Sequence, residues 1–158
     1  PFVLATFHRQ ENTDNPENLK SIINSLNQIH SEMRVIVPLH PRTKKIVELQ
    51  ETPVKFDVID PVGYFDMVEL LKHCALVITD SGGLQKEAFF FQKPCVTMRT
   101  ETEWTELIEN DVNMLSNPEN SNVYEAWKLM LSKNPNFSVN LYGNGKASER
   151  IAQILANI

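Results

Sequence analysis

Residues 75–90 read ALVITDSGGLQKEAFF. Ala75 to Thr79 is a short apolar and β-branched run with no polar alternation, as a strand buried on both faces requires. It passes through Asp80, Ser81, Gly82 and Gly83 straight into a helical pattern over Leu84 to Phe91. Two glycines behind a strand let a backbone approach another group closely, and the free N–H groups of the helix that follows form an anion site at its positive dipole end. Ser81 adds a hydroxyl, and Glu87, one helical turn beyond Gly83, can face the same rim. The alternative is a capped helix with glycines for tight strand-to-helix packing and Glu87 on a solvated face.

The same alternation extends in both directions. Strands are expected at Phe2 to Thr6, Arg34 to Pro38, Lys55 to Ile59, Pro94 to Met98 and Val112 to Leu115. Between them lies a helix opening at Pro16, with Asp14 as a candidate cap and Leu19, Ile22, Ile23, Leu26 and Ile29 on one face. Further helices are expected at Thr43 to Gln50, Tyr64 to His73, Tyr124 to Leu131 and Ala147 to Ile158. Strands alternating with helices define an α/β, Rossmann-like doubly wound parallel sheet. The 158 residues are expected to form a single domain, 1–158.

The formal net charge of -5 leaves no electrostatic footprint for a nucleic acid or an anionic membrane surface. No apolar run approaches the ~20 residues of a bilayer crossing. The two cysteines, Cys74 and Cys95, offer no disulfide framework, and a reducing, cytoplasmic compartment is expected. The chain starts in mid-strand without Met, which suggests a fragment of a longer protein.

Ligands of doubly wound sheets bind outside the carboxyl ends of the strands. Five loops place polar residues there: His8, Arg9, Glu11 and Asn12; His40, Pro41 and Arg42; Asp60, Pro61 and Gly63; Asp80 to Gly83; and Arg99, Thr102 and Glu103. His8 and Arg9 can neutralise a phosphate, and His8 can also move a proton. The plainer alternative makes Arg9 and Glu11 loop ion-pair partners and Asn12 a turn residue. Arg42 is a second candidate cation, while Lys44 and Lys45 read as an exposed helix face. Met67 can pack on a flat ligand or simply be core, and Thr102 is a candidate helix cap beside Glu103, Trp104 and Glu106. Phe89 to Phe91 read as a helix end buried against the sheet or against a missing partner. Tyr142 to Gly145 read as a tight turn. His8 and His40 have no third ligand at metal spacing, so neither a metal nor another cofactor is expected.

In order and separation, FHRQEN, PLHPRT, DPVGYF, TDSGGLQKEA and RTETEWTE, with YGNGKASERI near the end, resemble the non-hydrolysing UDP-N-acetylglucosamine 2-epimerase family over the whole chain. The resemblance implies the C-terminal, nucleotide-binding half of a two-domain enzyme of the glycosyltransferase-B arrangement, whose N-terminal domain, absent here, carries the acid/base carboxylates. It implies that Ser81, Gly82 and Gly83 hold the diphosphate, that Glu87 takes the ribose hydroxyls, and that His8, the catalytic candidate, reaches the diphosphate or leaving group. Arg9 and Met67 join these as expected UDP contacts, with His40, Arg42, Arg99 and Trp104 as further candidates. The implied reaction interconverts UDP-N-acetylglucosamine and its N-acetylmannosamine epimer by elimination and re-addition of UDP, supplying surface polysaccharide precursors. The full-length enzyme is expected to be a homodimer. Two positions depart from the family pattern, Val62 where many relatives carry a polar residue and Trp104 where several carry Arg.

A competing reading is the UDP-sugar donor domain of a glycosyltransferase of the same arrangement, and a third is a nucleotide-sugar sensor. The isolated chain is expected to bind UDP weakly without turnover. Ser81→Ala and Glu87→Ala should each weaken UDP binding by about 1–3 kcal/mol, the range of a charge-assisted contact, in calorimetric titrations. Unchanged titrations for both would remove the helix end from the site.

Overall fold

All six expected strands form, each slightly shorter than its apolar run, in a computed structural model that describes residues 1–119 and 122–157. They are β1 Val3–Thr6, β2 Val35–Pro38, β3 Asp57–Ile59, β4 Leu76–Thr79, β5 Cys95–Thr97 and β6 Asn113–Leu115. All pair in parallel in the order β3-β2-β1-β4-β5-β6. The helices are α1 Gln10–Thr13, α2 Pro16–Glu32, α3 Pro41–Glu48, α4 Tyr64–His73, α5 Gly82–Phe90, α6 Thr105–Glu109, α7 Val123–Ser132 and α8 Ala147–Leu155.

Both sheet faces are apolar because successive strand residues point to opposite sides. Val3, Ala5, Val35, Val37, Leu76, Ile78 and Val96 face a core covered by α2, α3 and α7. Leu4, Val77 and Cys95 face the other core, closed by Leu71 of α4 and by Leu84 and Ala88 of α5. The stripe Leu19, Ile22, Ile23, Leu26 and Ile29 of α2 is fully buried, as its spacing requires. A third cluster joins Phe89, Leu107 and Val112 to Trp104, Phe137 and Tyr142 of the later loops. Helix α8 buries none of its side chains, and Ile151, Ile154 and Leu155 form an exposed apolar stripe. Among the described residues, no helix is long and apolar enough to cross a membrane.

Several boundaries differ from the sequence reading. Asn15, not Asp14, caps α2: its side chain accepts from the N–H groups of Glu17 at 3.0 Å and Asn18 at 3.3 Å, while Asp14 ends the one-turn α1. At four residues, that turn is too short for the sequence to show a helical period. Helix α3 starts at Pro41, with His40 as its cap, rather than at Thr43. Proline suits this first position because its missing N–H would have no partner there. Helix α5 begins at Gly82 instead of Leu84, and Ser81 is its cap. Thr102 does not cap α6; its hydroxyl accepts from Trp104 N–H at 3.1 Å, one residue before the helix starts. Helix α8 ends at Leu155, and the expected terminus at Ile158 lies outside the described residues. Of the phenylalanine run, Phe89 is buried while Phe90 projects to solvent beside Tyr142. Gly143 and Gly145 adopt φ of +77° and +80°, the left-handed turn conformations that a side chain would disfavour.

Leu26→Ala should lower unfolding stability by about 2–5 kcal/mol through a cavity at the α2–sheet interface, whereas the exposed Ile151→Ala should change it by less than about 0.5 kcal/mol. Denaturant unfolding of both variants checks the assignment, and equal losses would contradict it.

Candidate functional site

In this strand order β1 lies beside both β2 and β4, so the chain connections run outward in opposite directions from the β1/β4 boundary. The loops leaving these two strands therefore part and open a crevice at the carboxyl edge. Thr6 and Thr79, at the ends of the two strands, share a hydroxyl–hydroxyl hydrogen bond of 2.7 Å beneath it. Immediately beyond them, Asp80 is fully buried. Its Oδ2 accepts three hydrogen bonds, from the backbone N–H of His8 (2.9 Å), the backbone N–H of Arg9 (2.9 Å) and the Asn12 amide (3.0 Å). The Asn12 amide also donates to the Met98 carbonyl at 3.1 Å, which ties the β1 loop to the end of β5.

The other oxygen, Oδ1, accepts no well-aligned hydrogen bond and faces His8 Nδ1 at 3.2 Å. Burial pushes the Asp80 carboxyl upward, but hydrogen bonds from His8, Arg9 and Asn12 outweigh it and hold the group below its ordinary range. In turn, the close polar contact with the Asp80 carboxylate raises His8 above the ordinary histidine value, against burial and the Arg9 charge.

His8 lines a cavity of about 350 Å³ together with Ser81, Gly83, Glu87, Met67 and His40. Pro61, Val62 and Leu84 supply apolar wall. Ser81 Oγ accepts from Leu84 N–H at 3.5 Å, which leaves its hydroxyl hydrogen free to donate. A side chain at Gly83 would meet only Ser81 Oγ, 4.0 Å away, so this face of the helix end is open. Neither Gly82 nor Gly83 has a positive φ. A Cβ at either would make only ordinary contacts with the described residues, so neither backbone conformation nor crowding within the chain requires these glycines.

The remaining candidates form a brace beside the cavity. Gly82 lies under Trp104, whose indole N–H donates to the Gly82 carbonyl at 2.8 Å. Trp104 and Tyr142 flank the Lys86 ammonium, 4.3 and 4.2 Å from their ring centres. Arg99, mostly buried, makes a two-point pair with Glu103 at 2.8 and 2.9 Å, which lowers the Glu103 carboxyl to about 2. Arg9 lies 4.0 Å from the same carboxylate, and Arg42 is bound by both oxygens of Asp14.

Sequence reasoning placed Asp80 and Asn12 on the rim without assigning either a partner, and left a turn residue as the plainer alternative for Asn12. It passed over Gln85, which is buried and accepts from Thr102 Oγ1 at 2.7 Å and Asn113 Nδ2 at 3.1 Å. The available signal was an amide four residues after Ser81, on a helix face that otherwise faces the sheet. Burial pushes the Cys74 and Cys95 thiols up to about 11 and about 12, so neither is a ready nucleophile. Among the described residues, no group of three or more His, Cys, Asp or Glu is placed to hold a metal ion.

A parallel sheet in this order, with a helix end, a hydroxyl and an imidazole gathered at its switch point, defines a Rossmann-like α/β fold with a polar crevice at the carboxyl edge. The chain belongs to the UDP-N-acetylglucosamine 2-epimerase family, whose sequence profile matches residues 1–156. It is 49% identical over 158 residues to a UDP-2,3-diacetamido-2,3-dideoxy-D-glucuronate 2-epimerase of Pseudomonas aeruginosa, covering 99% of this chain and 45% of the relative. It is 38% identical over 162 residues to a UDP-N-acetylglucosamine 2-epimerase of Methanocaldococcus jannaschii, covering 98% of this chain and 44% of that protein. The solved structure of the M. jannaschii UDP-GlcNAc 2-epimerase in complex with UDP-GlcNAc and UDP superposes with a TM-score of 0.84 at 38% identity, over 99% of this chain and 45% of that one. The chain thus spans a little under half the length of these relatives.

The Asp80–His8 pair makes stability depend on pH. His8, raised on folding, stabilises fully below its unfolded value and loses this contribution as pH rises through its folded value. Asp80, lowered, stabilises fully above its unfolded value and loses this as pH falls through its folded value. The melting-temperature advantage over His8→Ala should therefore peak between about pH 4 and about pH 6.5, the ordinary aspartate and histidine values, and shrink on either side. A difference that does not change with pH would show that the pair is not ionic.

Proposed function

We propose that this chain is the nucleotide-binding half of a UDP-N-acetylglucosamine 2-epimerase, a domain that holds the uridine diphosphate of the substrate. The observation that carries the reading is the convergence of His8, Ser81, Gly83 and Glu87 on one cavity at the strand switch point. The backbone amides at the start of α5 and the Ser81 hydroxyl supply donors for phosphate oxygens. Glu87, farther along the same helix, is an acceptor suited to a ribose diol. Met67 and Val62 give the flat apolar wall that a base requires.

Family membership adds the reaction. A base takes the C2 proton, its bond pair becomes the C1=C2 double bond, and the C1–O bond pair leaves with UDP. Re-addition of UDP and return of a proton to the opposite face of C2 give the epimer. A C2 proton beside an acetamido group is weakly acidic, so stabilising charge on departing UDP is the productive contribution of this half. The carboxylate bases belong to the other half, in a protein about twice this length. The apolar stripe of α8 is a surface that a second domain would cover. A cytoplasmic, dimeric enzyme fits this reading.

The 49% identity to the diacetamido-glucuronate epimerase favours a second reading of the sugar, in which the substrate carries further acetamido and carboxylate groups. The full-length enzyme incubated in deuterium oxide with UDP-N-acetylglucosamine, and separately with the diacetamido-glucuronate nucleotide, should form the C2 epimer and incorporate deuterium at C2 with one of them. Neither product with either sugar would remove the epimerase reading, and transfer to an added acceptor would establish the glycosyltransferase instead.

A further inference from the structure

Resting on the reading of the cavity as a diphosphate cradle, the geometry around Asp80 assigns a role to a residue that would not itself touch the ligand. Oδ2 of Asp80 is saturated by three donors from the β1 loop, so the carboxylate cannot turn. Its second oxygen faces His8 Nδ1 at 3.2 Å and, among the described residues, accepts no other hydrogen bond, and His8 also lines the cavity. The ring therefore points Nδ1 into the protein, and Nε2 is the nitrogen available to a ligand.

A carboxylate only accepts hydrogen bonds, which requires the hydrogen on Nδ1. A neutral ring would then present a lone pair at Nε2, and diphosphate oxygens, acceptors themselves, would meet it unfavourably. An imidazolium satisfies both sides, with one N–H toward Asp80 and one toward phosphate. We propose that Asp80 is a positioning residue: its buried carboxylate fixes the His8 ring so that Nε2–H and the positive charge face the diphosphate.

When the C1–O bond breaks, its electron pair goes to the bridging UDP oxygen, and His8 stabilises the charge through Nε2–H while keeping its proton. The charged and titratable groups around His8 are Asp80 beneath it, Arg9 on its own loop, His40 across the cavity at the start of α3 and Glu87 on α5. Arg9 opposes the charge on His8 and leans toward Glu103, 4.0 Å away.

The test follows the His8 ring by NMR and binding by calorimetry from about pH 5 to about pH 8, across the histidine range. The probe is UDP-N-acetylglucosamine, whose diphosphate diester does not titrate in that range and whose uracil N3–H ionises only above it. Asp80→Asn retains an oxygen for the three donors while removing the charge. It should move the His8 midpoint down by about one pH unit and weaken binding about tenfold above that midpoint, leaving affinity within about twofold at the acid end. His8→Gln, independent of whether Asp80→Asn folds, should remove the pH dependence of binding in this range.

An unmoved His8 midpoint, a loss equal at every pH, or pH-dependent binding that persists in His8→Gln would each overturn the proposal. Absence of binding by the unaltered chain at all pH values, with the His8 midpoint shifted as expected, would instead sink the cradle reading and with it the diphosphate role of the pair.

Discussion

A single buried carboxylate holds the site together. Asp80 sits where β4 ends, and its Oδ2 gathers two backbone N–H groups and an amide from the loop that leaves β1. The carboxylate, fully buried, would lack compensation without these donors, which is the physical reason the β1 loop closes onto it. The two loops that the strand order drives apart are thereby fastened at their base. The crevice opens above a fixed floor, with Thr6 and Thr79 bonded beneath it.

Charge is distributed around this floor with economy. Arg99 is engaged by Glu103, Arg42 by Asp14, and Arg9 lies 4.0 Å from the Glu103 carboxylate. The cavity itself is left with imidazole, hydroxyl and helix-end donors, plus Glu87. A protein with a net charge of -5 can therefore present a locally favourable place for an anion. The attraction is short in range and depends on dipoles fixed in the backbone, not on a broad positive surface. The brace of Trp104, Lys86 and Tyr142 fixes the Gly82 carbonyl from behind and leaves the Gly83 side open.

Strands and long helices were legible because their signals are local. The run Ala75 to Thr79 can be stable only with both faces covered, and the α2 stripe can be stable only against a sheet. Helix starts were less legible where two polar residues compete for one cap. Asp14 and Asn15 both suit the position in type, and Asn15 prevails because its side chain reaches two free N–H groups while Asp14 is drawn to Arg42. The short turn α1 shows no period because four residues do not complete a pattern. Along the cavity, Ser81, Gly83 and His8 were readable from their place after strand ends, and Glu87 from its spacing one helical turn on. The burial of the Asn12 and Gln85 amides was not, since a buried amide and a solvated one look identical in sequence.

By itself, the sequence determined the layered α/β class, the parallel strands and the rim on which polar residues had to fall, because periodicity and turn chemistry act over a few residues. Only the tertiary structure decided which rim residues share a cavity and which neutralise one another. Asp80 and His8 are 72 residues apart, and no local preference links them. Their meeting follows from β1 and β4 being neighbours in the sheet, a consequence of global strand order that turns a loop aspartate into the anchor of the site.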